Sequence, residues 1–173
     1  MKKPLKIALY VLLALVLIVL AYVIYVFAAY YRVEDWQTLD IVQFSVQDHT
    51  TGGESALPME GAPQAGVTYR VSSANIGFGA YSDDYSFFMD GGTESRAWSE
   101  ERLTANIERI GAFLQQQDAD LYLLQEVDRD STRSYHVDEV AMLTAQLPGL
   151  GYIWAQNYDS PYLFYPLDQP HGK

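Results

Sequence analysis

Two polar side chains fall where an α/β protein would carry out a reaction. Asn75 ends a stretch that alternates like a strand, and Glu126 ends a second, more apolar stretch. Ligand sites in α/β sheets gather at the carboxyl ends of strands, so an amide and a carboxylate at two such ends can meet along one edge. That pair suits a hard cation such as Mg²⁺, which takes oxygen ligands and keeps several waters. Arg133 lies in the loop after Glu126. Spacing alone leaves plainer readings open. Glu126 could be a solvated charge at a strand end, Asn75 a turn residue before Gly77, and Arg133 a surface partner of Asp128 or Asp130.

The elements that must position these residues are legible as patterns. Val67 to Ala74 sets Val67, Tyr69 and Val71 against Thr68, Arg70 and Ser72, which predicts a strand. It runs into Asn75-Ile76-Gly77-Phe78-Gly79, where the glycines end regular structure, and Tyr81 to Arg96 reads as a long loop. Ser99 is placed as a helix N-cap with Glu100 and Glu101 in the first turn, and Leu103, Ile107, Ile110 and Leu114 follow at helical spacing. Ala119 to Val127 contains Leu121-Tyr122-Leu123-Leu124, the apolar run of a strand buried on both faces. A second helix is expected over His136 to Leu147, stopped by Pro148-Gly149, and a further strand over Tyr152 to Tyr158. Upstream, Leu39 to Val46 reads as a strand, and Asp48 to Gly66 as a Gly- and Pro-rich linker. Strand, helix, strand, helix, strand points to an α/β or α+β sandwich.

Ser73-Ala74-Asn75-Ile76-Gly77, followed after a helix by Asp120-Leu121-Tyr122-Leu123-Leu124-Gln125-Glu126-Val127, resembles the endonuclease/exonuclease/phosphatase (DNase-like) superfamily over about residues 65 to 160. Its nucleases, phosphodiesterases and phosphatases share a strand ending in Asn and an apolar strand ending in Gln-Glu. The resemblance implies part of a two-layered α/β sandwich, with Glu126 as a direct Mg²⁺ (or Mn²⁺) ligand. Asn75 would orient the scissile phosphate or a metal-bound water, and Arg133 would contact substrate. The reaction would be phosphoester hydrolysis by in-line attack of water. The family's later Asp-x-Asn and Asp-His motifs have no counterpart here, because neither His136 nor His171 has an adjacent Asp, and His49, although it follows Asp48, lies in a loop ahead of the Asn75 motif rather than late in the domain. The expectation is therefore an N-terminal half of such a domain over 67–173, inactive or nearly so by itself.

The chain begins differently. Ile7 to Tyr31 is a run of 25 residues without a charge, and at about 1.5 Å per residue a helix of that length spans a hydrocarbon core of about 30 Å. Lys2, Lys3 and Lys6 precede it, while Arg32, Glu34 and Asp35 follow. The expected arrangement is a cytoplasmic tail over 1–6, a single transmembrane helix over 7–31, a juxtamembrane strand and linker over 32–66, and an extracytoplasmic domain. A cleaved signal peptide, with Val26-Phe27-Ala28 before Ala29 as the site, competes, but secretory apolar regions usually run only about 7–15 residues.

Composition narrows the partners. No cysteine is present, which excludes disulfides and thiolate metal sites. Beyond the apolar run, the 22 acidic residues outnumber the eight basic ones that remain of the chain's 11, a balance that repels nucleic-acid phosphates. A membrane-anchored phosphoesterase acting on a lipid headgroup or small phosphoester is favoured over a nuclease, although a metal can reverse the sign locally. A non-catalytic, membrane-tethered binding domain is the alternative. A carbohydrate platform of Tyr81, Tyr85, Trp98, Tyr158 and Tyr162 is a further alternative, against which stands the usual role of such aromatics as core anchors.

Overall fold

The computed structural model describes residues 3–42 and 63–173. The expected strand over Leu39 to Val46 lies partly outside them, as do most of the expected linker and His49. Helix α1, Lys3–Ala29, is apolar beyond Lys6, and none of its residues is fully buried. Pro4 is accommodated in its first turn, where an amide hydrogen has no helical partner. The helix ends before Tyr30 and Tyr31, which the sequence reading included. Arg32 folds back to cap it, donating from Nη2 to the Phe27 carbonyl at 2.7 Å and from Nη1 to Tyr30 at 3.0 Å. A cation bonded to orphan carbonyls complements the negative end of the helix dipole.

Strand β1, Ile41–Val42, pairs antiparallel with the last strand, β4, Tyr152–Ile153. Strand β2, Val71–Asn75, pairs in parallel with β3, Leu121–Gln125, in a register that sets Asn75 beside Gln125. Between them runs α2, Glu100–Gln117, the crossover that parallel pairing requires. Ser99 caps α2 by accepting from the Arg102 amide, a contact that contributes about 1 kcal/mol. Leu103, Ile107, Gly111 and Leu114 form its buried stripe. Helix α3, Glu139–Gln146, packs against α2.

The core joins Ile76, Phe78, Ala80 and Phe87 to Leu103, Ile107, Leu114 and Leu143, with Ala74, Tyr122 and Leu124 half-buried against it. Gly79 has a positive φ and passes so close to α2 that a Cβ would stand 2.9 Å from Ile107. The chain is thus a mixed α/β protein with small sheets and a long apolar N-terminal helix.

Three expectations need correction. β3 is not buried on both faces: Leu121 and Leu123 are exposed with Val71 beside them, because only Tyr122 and Leu124 turn toward α2. The second helix does not begin at His136. Tyr135 and His136 both have positive φ, and Asp138 caps the helix by accepting from the Ala141 amide at 2.9 Å. The last strand is shorter than expected, with only Tyr152–Ile153 in the ladder. The five aromatics weighed as a carbohydrate platform divide between two places. Tyr81 and Tyr85 pack edge-on to Phe78, with Trp98 against Tyr85, whereas Tyr158 packs on Tyr30 and Tyr162 on Phe164.

Candidate functional site

Asn75 and Glu126 meet. Parallel pairing brings the carboxyl ends of β2 and β3 together, and Asn75 Nδ2 donates to Glu126 Oε1 at 2.9 Å. The other end of the amide is also fixed, since Asn75 Oδ1 accepts from the Gly77 amide at 2.9 Å. Gly77 has a φ of +54°, and a Cβ there would lie 2.4 Å from the Tyr81 ring, so the turn depends on glycine. Glu126 itself has a φ of +53°, held by a bond from the Phe78 amide to its carbonyl at 2.8 Å. A non-glycine residue in this conformation costs about 1–3 kcal/mol, and such residues cluster at functional sites.

Arg133 lies beneath the pair. Its Nη1 stands 3.4 Å from Glu126 Oε2, while Nε and Nη2 bind both oxygens of Asp128 at 2.9 and 2.8 Å. The guanidinium rests on the Phe78 ring, 4.0 Å from its centroid. Burial alone would lower the Arg133 pKa, but the bonded Asp128 carboxylate, with Glu126 and Glu139 beyond it, holds it above the ordinary value. Of the two ion pairs weighed from sequence, the Asp128 pair forms and is mostly buried, whereas Asp130 turns to His136.

Sequence reasoning missed the layer below. Glu139 is fully buried, accepts from the Asp128 amide at 2.9 Å through Oε2, and has no hydrogen-bond partner at Oε1. Burial pushes its pKa up to about 8, opposed by the Asp128 amide bond and reinforced by the Asp128 charge, so the carboxyl is neutral at pH 7. The helical phase carried a signal, because Glu139 shares a face with Leu143 and Leu147. His171 is buried against Phe87 and Phe88 with Nδ1 unpartnered, and its pKa is lowered by burial and then by the Arg133 charge. Nothing local in the sequence placed it here.

Among the described residues, no group of three or more histidine or acidic side chains converges to hold a metal ion. The donors present fit a narrower arrangement. Glu126 is the more exposed of the two carboxylates paired with Arg133, its side chain 39% exposed against 11% for Asp128, and its oxygens face Asn75 Nδ2 at 2.9 Å and Arg133 Nη1 at 3.4 Å. Mg²⁺ is commonly bound by one or two carboxylates, with waters and substrate phosphates completing its shell. No protein-family model, curated protein or solved structure matches this chain.

Proposed function

We propose that the chain is a membrane-anchored phosphoesterase half-site of the endonuclease/exonuclease/phosphatase type. The observation that carries this reading is the bonded Asn75–Glu126 pair at adjacent strand ends, with Arg133 beside it. Glu126 would hold Mg²⁺ or Mn²⁺, which when bound neutralises charge developing on phosphoryl oxygens. Asn75 holds the carboxylate in place and offers an amide to a phosphate oxygen, and Arg133 supplies positive charge behind it. The left-handed backbone at Glu126 supports the reading, as does the uncovered Val71, Leu121 and Leu123 face, where the second layer of such a sandwich would pack.

Helix α1 would span the bilayer with the N-terminus inside, because its lysines precede the apolar run. A lipid headgroup or small phosphoester is favoured over nucleic acid by the acidic surface.

Among the described residues no histidine is hydrogen-bonded to Asn75 or Glu126, where a base for the attacking water would stand, and a positioned base typically contributes 10²–10⁴-fold. The full chain in micelles is therefore expected to hydrolyse bis(p-nitrophenyl) phosphate slowly at best with Mg²⁺, and to lose that turnover in Glu126→Gln. Turnover that survives this substitution would sink the reading, and fast Glu126-dependent turnover would show that the base is already present. One observation favours a non-catalytic, membrane-tethered binding domain instead: both Glu126 oxygens already face partners of this chain. In that case Glu126→Gln leaves partner affinity intact.

A further inference from the structure

The end of α1 is not a free stalk. Tyr22 donates its hydroxyl to the Tyr162 carbonyl at 2.9 Å and accepts from the Phe164 amide at 3.4 Å, and its ring packs edge-on to Phe164 at 5.4 Å. Farther along, the Tyr31 amide donates to the Asp159 carbonyl at 3.0 Å, and Tyr30 packs on Tyr158 at 5.7 Å. The segment from Tyr158 to Phe164 thus runs down the helix to Tyr22, which lies about 10 Å below Ala29 at about 1.5 Å per residue.

This geometry conflicts with a domain held wholly in water. If Ile7 marks the inner edge of the hydrocarbon, Tyr22 lies only about 22 Å across a core of about 30 Å. Sliding the helix outward by the remaining ~8 Å would draw Lys6 about 6 Å and Lys3 about 2 Å into the hydrocarbon, against their preference for the inner interface. The residues that follow suit the bilayer edge. Phe164, Tyr165 and Leu167 are 56%, 68% and 86% exposed, even though Phe164 packs on Tyr22 and Tyr165 on Phe88. Aromatic rings with a polar tip are enriched at the headgroup level. Asp168 follows immediately, which limits the depth.

We propose that Tyr162 to Leu167 is a membrane-inserted loop that dips below the outer interface alongside α1, to the level of Tyr22, which fixes it there. The inference rests on the reading of α1 as a membrane span. The loop holds the domain against the lipid surface, so that Asn75 and Glu126 are presented at a set height relative to the headgroups.

The cysteine-free chain allows a direct test. Leu167→Cys, labelled with the environment-sensitive dye NBD, is reconstituted as the full chain in phosphatidylcholine vesicles. Ile18→Cys serves as the span reporter, and Asp118→Cys, at a charged surface position, as the water reporter. The expected result is blue-shifted emission at 167, quenched by lipids that carry a nitroxide near the headgroup, with 18 quenched by deep nitroxides and 118 unquenched. A water-like signal at 167 while 18 reads hydrocarbon overturns the inference and leaves the span standing. A water-like signal at 18 overturns both.

Discussion

Replacing Arg133 with alanine is expected to destabilise the folded domain by about 3–5 kcal/mol, the usual loss when one partner is removed from a buried pair. The substitution strips both bonds from Asp128, leaves that mostly buried carboxylate beside Glu139, and uncovers the Phe78 ring. Lysine should recover only part of the loss, since an ammonium keeps the charge but cannot make the two-point bond. Denaturant unfolding of the full chain in micelles measures this. A loss under about 1 kcal/mol would place Arg133 among ordinary exposed ion pairs.

The second large effect is a pH dependence centred on Glu139. Its carboxyl titrates near 4.5 when unfolded and about 8 when folded. Between those values the folded state holds the extra proton, so stability falls as pH rises. The contribution is fully present below about 4.5 and is lost as pH passes through about 8, a change on the order of a few kcal/mol. Asp128, Asp138 and Arg133 are the charged groups that face it. Glutamine keeps the acceptor for the Asp128 amide and cannot ionise. Glu139→Gln should therefore flatten the slope, matching the parent near pH 5 and exceeding it near pH 8. Unfolding midpoints at the two pH values decide this, and identical slopes in parent and variant would refute a neutral Glu139.

What was legible in the sequence was local. Helix α2 announced itself through the Ser99 cap and its four-residue apolar spacing, both properties of neighbouring residues. The meeting of Asn75 and Glu126 was also legible, because two strands joined by one helix pair in parallel and bring their ends together. The start of α3 was not, since the left-handed turn at Tyr135 and His136 carries no glycine to mark it. The exposed face of β3 was misread because an apolar run does not say what covers it. Asp128, Glu139 and His171 converge on Arg133 from separate segments, and no short-range pattern records that convergence. The docking of Tyr22 on Tyr162 is equally long-range.

The most direct measurement is Mn²⁺ binding by the full chain in nanodiscs, followed by electron paramagnetic resonance with and without inorganic phosphate. A half-site built on Glu126 should show one saturable Mn²⁺ site that tightens with phosphate. Glu126→Gln should weaken it at least about tenfold, a loss of about 1.4 kcal/mol. Asn75→Ala, which frees the carboxylate to swing, should weaken it less. Mn²⁺ binding that is equal in the parent and Glu126→Gln, or absent from both, would contradict a metal site at the ends of β2 and β3.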